Sequence, residues 1–238
     1  HLQAMLRAET EYVTMVGKAW KAHVEKILLT DSEKNLGMIY ESVRFLKERG
    51  RKVFFALEHF FDGFTADRDY ALATMNSAAA AGADLLVMCD TNGGLLPVQL
   101  QNILNSMDTK GLPPLGVHFH NDCGTAVANS LIAVEYDNIA HIQGTVNGWG
   151  ERCGNTNLCV LAPNIALKTM NKINISEKLD RITHVSKFFY ELANVLPEKR
   201  QPYVGEAAFS HKAGLHADAV LKAGELIEHI PSSAVGNS

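Results

Sequence analysis

Leu115-Gly116-Val117-His118-Phe119-His120-Asn121-Asp122-Cys123-Gly124-Thr125 is the stretch whose reading decides the fold. As an extended run from Leu115 to His120 it alternates faces, so His118 and His120 share one face while Val117 and Phe119 take the other. Two neutral imidazoles at a strand end present two nitrogen ligands to a metal ion. The same pair would also suit packed strand histidines, each with its own hydrogen-bond partner. Asn121, Asp122 and Gly124 follow at once, which puts the chemistry at the C-terminal end of the strand.

The same pattern recurs along the chain. Tyr12–Val16, Val53–Leu57, Asp84–Cys89, Leu115–His120 and Ile139–Val146 read as short strands. Thr30-Asp31-Ser32-Glu33 reads as a capping box opening a helix that carries Leu36, Ile39, Tyr40, Val43 and Leu46 as far as Gly50. Asp67–Ala81, Leu95–Met107 and Thr125–Tyr136 read as further helices. Alternating β and α argues for a parallel sheet covered by helices, either doubly wound or a (β/α)₈ barrel. Polar residues follow nearly every strand: Lys18 and His23, Glu58 and His59, Asp90 and Thr91, His118 and His120, Asn147 and Glu151. Barrel enzymes build their sites from those ends, and no strand leads into a GxGxxG turn. We therefore expect an α/β fold of the TIM (β/α)₈ type, incomplete, with about five βα units and three strands missing before His1. The barrel part is expected over residues 1–170. Residues 171–238 read as an appended helical segment, in which Ile175–Leu196 carries Ile182, Val185, Phe188, Phe189 and Leu192 on one face.

At 238 residues and 47 % hydrophobic, the chain is long enough for one large domain or two small ones. Twenty-two basic against 26 acidic residues leave a net charge of −4, which argues against nucleic acid as a partner. Every long apolar stretch is broken by a polar residue, so no membrane span is expected. Cys89, Cys123, Cys153 and Cys159 form no CxxC pair, which suits a reduced, cytoplasmic protein; Cys123 and Cys153 read as packing residues. His141 reads as a core histidine within its strand.

Several stretches bear chemistry. Glu58 ends five apolar residues, an unfavourable place for a carboxylate unless it faces a polar cavity. Asp90-Thr91 either orients a small anionic substrate or caps a Gly turn ahead of Pro97. Gly144–Asn155, GTVNGWGERCGN, sets polar side chains among glycines directly after a strand, which suits backbone wrapped closely around a ligand.

Taken together, His118–Ala126 (HFHNDCGTA) and Gly144–Asn155 closely resemble the acetyl-CoA-dependent 2-isopropylmalate, homocitrate and citramalate synthases. Asp90-Thr91 with Gly93 matches that family's strand-end Asp-Thr, and Ala208–His216 (AFSHKAGLH) resembles its AFxHKxGxH segment. Leu57–Phe64 and Gly17–Trp20 look most like the citramalate branch. The resemblance runs through almost the whole chain.

It implies an acyltransferase that condenses acetyl-CoA with a 2-oxo acid, with pyruvate the first expectation and the 2-isopropylmalate or homocitrate reactions the alternatives. It implies a divalent cation (Mn²⁺, Mg²⁺ or Zn²⁺) held by His118, His120 and an Asp, with Asn155 close by. Thr91 is implied to contact the 2-oxo acid, with His23 and Asp90 as further substrate-binding positions. Glu58 and His216 are implied to serve acid–base chemistry, and Asn121, Asp122, Asn147, Glu151 and Arg152 to form the site loop. A homodimer acting on small molecules is expected. The family's LRDGE-like first-strand motif, which carries the Asp ligand, does not occur here, and neither does its C-terminal regulatory domain. The chain is thus expected to be a central piece with an incomplete metal site. Two rivals stand: a lyase of the 3-hydroxy-3-methylglutaryl-CoA type, and a non-catalytic metal-binding fragment.

Overall fold

The computed structural model describes residues 2–169 and 176–237. The chain folds as two compact units, His1–Gln143 with Arg152–Thr156 and Gly144–Glu151 with Asn157–Ser238.

In the first unit a short helix α1 (Leu2–Arg7) precedes β1 (Tyr12–Lys18), α2 (Lys21–Lys26) and α3 (Ser32–Lys47). Then come β2 (Lys52–Glu58), α4 (Phe60–Ala66), α5 (Arg68–Ala80), β3 (Leu85–Asp90), α6 (Pro97–Ser106), β4 (Leu115–Phe119), α7 (Ala126–Ala133) and β5 (Ile139–Gln143). All four strand pairings are parallel and the order is β1-β2-β3-β4-β5. A doubly wound sheet reverses its order at a switch point, and this one does not. The sheet also curls. In a flat sheet β2 and β5 would stand about 14 Å apart, yet the rings of Phe54 and His141 meet edge-on with centroids 5.6 Å apart. Sequential order and inward curvature are the marks of a (β/α) barrel, here with five of its strands.

Strand periodicity then assigns the faces. Val13, Val53, Phe55, Leu57, Leu86, Met88, Val117 and Phe119 point outward into a core shared with the helices. Ile39, Val43 and Leu46 of α3, with Ala71, Met75 and Ala78 of α5, form the other side of it. Phe54, Ala56, Leu85, Val87 and Cys89 form a smaller inner cluster. Gly116 keeps the inner layer thin: a Cβ there would lie 3.2 Å from His141 Cβ.

Several expected boundaries move. The cap of α3 is Asp31, not Thr30: its carboxylate accepts from the Lys34 amide at 2.7 Å. Asp67 caps α5 in the same way, at 3.1 Å from the Tyr70 amide. The last strand stops at Gln143 rather than Val146, because Val146–Gly148 forms a 3₁₀ turn with Asn147 in the left-handed region at φ +60°. No helix among the described residues is long and apolar enough to cross a membrane.

The second unit contains α8 (Leu158–Lys168), α9 (Ile182–Leu192) and α10 (Gly214–Ala223). Its core is Cys159, Leu179, Tyr203, Val204, Ile230 and Val235. The helix expected over Ile175–Leu196 starts later: Ser176–Arg181 is a 3₁₀ turn, and Ile175 lies outside the described residues. Helix α9 buries Thr183, Ser186 and Tyr190, whereas Phe188, Phe189 and Leu192 face outward. Hydrogen bonding decides that orientation. Asn147 Oδ1 accepts from Ser186 Oγ at 2.5 Å and from Gln201 Nε2 at 3.2 Å, and Tyr190 donates to Gln201 Oε1 at 3.0 Å. Asn147 Nδ2 donates to the Ser186 carbonyl at 3.1 Å.

Candidate functional site

Parallel register sets chemistry on the inner face at the C-terminal strand ends. Lys18 pairs with Glu58, Cys89 with His118, and His118 with Gln143. These side chains alternate with the outward core residues, which is why an apolar strand ends in an inward polar one. The Lys18 ammonium forms an ion pair with Glu58 Oε2, the side chains being 19 % and 26 % exposed. Glu58 therefore has the cationic partner that a half-buried carboxylate needs.

The histidine pair sits on the next rungs, ring centroids 5.2 Å apart. His118 Nδ1 lies 2.9 Å from Gln143 Oε1, and its Nε2 lies 3.2 Å from Asn155 Nδ2. An amide oxygen only accepts and an amide nitrogen only donates, so one tautomer satisfies both: Nδ1 protonated, Nε2 with its lone pair toward Asn155. A metal-ligating histidine is oriented by such a partner on its other nitrogen. Asn155 is buried and bridges His120 through the backbone. Two imidazoles and a carboxamide oxygen fit part of the coordination set of a divalent cation. Among the described residues no three His, Cys, Asp or Glu side chains gather into a complete one.

The surrounding loops are tied together. Arg152 Nε and Nη2 donate to Asp122 Oδ1 and Oδ2 at 2.8 and 2.9 Å, and Nη2 also donates to the Thr91 carbonyl at 2.7 Å. The Arg152 guanidinium holds the Asp122 carboxyl below the usual carboxylate range. Arg152 adopts φ +56° to reach both, an uncommon conformation for a long side chain. Gly93, at φ +68°, lies so close to Asp122 that a Cβ would come 2.8 Å from its backbone nitrogen. Asn121 Oδ1 accepts from the Ala126 amide at 3.1 Å and so caps α7.

Asp90 is buried, and its carboxylate accepts from the Gly93 and Leu95 amides at 3.1 Å each, the turn-capping arrangement. Burial raises its pKa against those amides. Thr91 Oγ1 accepts from the His59 amide at 2.9 Å. His59 stands at φ +58°, opens α4, and places Nδ1 3.2 Å from Asp62 Oδ2. His23 packs between Trp20 and His59, with ring centroids 4.8 and 4.1 Å away. Burial, and then the neighbouring His59 and Lys18, lower its pKa.

The structure thus brings Glu58, Thr91, His23, Asp90, His118, His120, Asn121, Asp122, Asn155 and Arg152 into the first unit. Asn147, Glu151 and His216 belong to the second, where Glu151 and His216 are exposed and Asn147 is engaged in the network around α9. Cys123 and Cys153 are exposed rather than packed, whereas burial pushes Cys89 up to about 12. Gln143 and the Lys18–Glu58 contact were absent from the sequence reading of the site. The alternation of His141 and Gln143 along β5 was the signal for the first, and the shared register of β1 and β2 the signal for the second.

A parallel, sequentially ordered sheet that curls inward and carries its polar rung at the C-terminal ends defines the (β/α) barrel class. The HMGL-like family model matches residues 1–189, and the chain belongs to that family. The (R)-citramalate synthase of Synechocystis sp. is 48 % identical over 244 residues, spanning 99 % of this chain and 44 % of that protein. That of Geobacter sulfurreducens is 44 % identical over 237 residues, spanning 100 % and 45 %. The chain therefore spans a little under half the length of these relatives. Among solved structures, the HMG-CoA lyase of Bacillus subtilis superposes with a TM-score of 0.67 at 18 % identity, covering 84 % of this chain and 69 % of that one, a likeness of fold.

Proposed function

We propose that this chain is a catalytic part of a citramalate synthase, an acyltransferase that condenses acetyl-CoA with pyruvate and water to give (R)-citramalate and CoA. The observation that carries the reading is His118, whose Nε2 lone pair is aimed at Asn155 by Gln143. Identities of 41–48 % to five (R)-citramalate synthases across nearly the whole chain support pyruvate over a longer oxo acid. The reading includes a barrel portion over 1–170, a helical portion over 171–238, a homodimer, and a cytoplasmic place in isoleucine biosynthesis.

His118, His120 and Asn155 would hold a divalent cation (Mn²⁺, Mg²⁺ or Zn²⁺), which when bound polarises the ketone of the oxo acid as a Lewis acid. Glu58 removes a methyl proton from acetyl-CoA, a general-base role worth roughly 10²–10⁴-fold. Lys18 holds Glu58 in place for that transfer. Thr91 Oγ1 accepts from the His59 amide, which leaves its own proton for a substrate oxygen. His216, on the second unit, is also proposed for acid–base chemistry, and Asn121, Asp122 and Arg152 shape the loop around the substrate. Water then cleaves the thioester and CoA leaves.

The test is release of CoA thiol from acetyl-CoA by the chain with Mn²⁺ or Mg²⁺, with pyruvate, 2-oxoisovalerate and 2-oxoglutarate in parallel. Release with pyruvate, lost in His120→Ala, is the expected result. Release with another acid and not with pyruvate overturns the substrate. Retention of metal with no release by any acid overturns turnover by this chain.

A further inference from the structure

The second unit holds a cavity for which the acyl-transfer reading has no use. Its volume is about 730 Å³, and Val160 and Asn164 of α8 line it together with Arg200, Tyr203, Lys212 and His229 among others. That size lies within the range of about 300–1,000 Å³ typical of small-molecule sites. Two fixed cations and an imidazole line it, and no carboxylate does. Acidic residues outnumber basic ones in this chain, 26 against 22, so an acid-free wall is a local segregation of charge.

Carboxylates close in sequence are engaged away from those cations. Glu206 pairs with Lys199 at 3.4 Å, and Glu228 lies 3.4 Å from His211 Nε2. Glu198 accepts from the Arg200 backbone amide at 3.0 Å, not from its guanidinium. Among the described residues neither Arg200 nor Lys212 forms an ion pair. Arginine carries five N–H donors in a fork and lysine three, and both residues line the cavity. Aromatic side chains line the cavity as well. Tyr203 is buried, its hydroxyl donates to Asn164 Oδ1 at 3.0 Å, and its ring packs against His229 with centroids 5.4 Å apart. Phe209 and Ser210 line the cavity too.

We propose that this cavity binds an organic phosphate, with phosphoryl oxygens on Arg200 and Lys212 and a planar ring against Tyr203 and Phe209. Charge-assisted bonds to phosphate favour the guanidinium fork, and ring faces favour stacking. A free nucleotide and the phosphoadenosine end of CoA share this chemistry. The proposal does not rest on acyl transfer, since binding alone reads it.

The test is isothermal titration of the chain with pyrophosphate, ADP, CoA and adenosine. Pyrophosphate and ADP are expected to bind saturably, one per chain, with affinity falling as salt rises, and adenosine to bind far more weakly. Arg200→Gln with Lys212→Gln should weaken ADP by about tenfold or more, with an unchanged melting curve. Each single variant, on an exposed side chain, should do so in part. Competition between CoA and ADP would identify CoA as the ligand, and CoA binding without competition would identify a separate nucleotide. No saturable binding of pyrophosphate or ADP overturns the proposal, as does equal affinity in the folded double variant.

Discussion

Asp84 joins three elements of the first unit through one carboxylate. Its oxygens lie 2.7 and 2.6 Å from Lys47 Nζ of α3, and Oδ2 also accepts from the Val53 amide of β2 at 2.7 Å. The two parts differ in worth. The ion pair is 28 % and 34 % exposed at its ends, so solvent screening leaves it about 0.2–1 kcal/mol. Val53 is fully buried, and an amide left there without an acceptor costs about 1–3 kcal/mol. Asp84→Ala should therefore destabilise the unit by about 2–3 kcal/mol, while Lys47→Met, which keeps the amide satisfied, should cost about 1 kcal/mol or less. Asp84→Asn retains an acceptor and should resemble Lys47→Met. Urea titration in a Trp149→Phe background, where Trp20 alone reports the first unit, measures all three. Equal losses in Lys47→Met and Asp84→Ala would refute the division, because the buried amide would then contribute nothing.

Other expectations concern the site. Gly93→Ala should lose at least about 2 kcal/mol, since a left-handed alanine costs about 1–2 and the Cβ also meets the Asp122 backbone; thermal melts and proteolysis near Gly124 check it. Gln143→Leu removes the acceptor that fixes the His118 tautomer, so affinity for Mn²⁺, read by titration calorimetry, should fall about 10–100-fold with the fold intact. His23 and His141 both have pKa values below the ordinary 6.5, largely through burial. The unfolded chain then binds protons that the folded one refuses, so stability should be full above about pH 6.5 and fall as pH drops through that value. Urea midpoints between pH 7.5 and 5 measure the slope, and a His23→Gln, His141→Gln variant should flatten it.

Much of the barrel was legible because its strands are short, largely apolar runs with a polar residue at or next to their C-terminal ends. The run KVFFALE stops being apolar at Glu58, where β2 reaches its C-terminal end. The pairing of His118 and His120 on one face was likewise readable from their spacing, whereas Asn155 entered only through the family resemblance. Illegible were features that depend on what a side chain meets in space. Helix α4 has seven residues and opens on a left-handed His59, so neither periodicity nor a capping residue announces it. The apolar stripe of α9 does not mark its buried face, because Ser186 and Tyr190 answer to Asn147 and Gln201, which lie outside the helix. Asp90 looks the same in sequence whether it caps a turn or meets substrate, and its contacts with the Gly93 and Leu95 amides are announced by no local pattern.

The strand order has a consequence for how the chain assembles. Each strand pairs with the one just before it, so every pairing closes a loop of one βα unit and none waits for a distant segment. A growing chain emerging from the N-terminus would always have its next partner already present. Lys18 and Glu58 meet as soon as β2 docks, Cys89 and His118 when β4 does, and His118 gains Gln143 only with β5. The polar rungs are therefore built in chain order during synthesis, and Gln143, which orients the His118 ring, arrives before Asn155 reaches the other ring nitrogen.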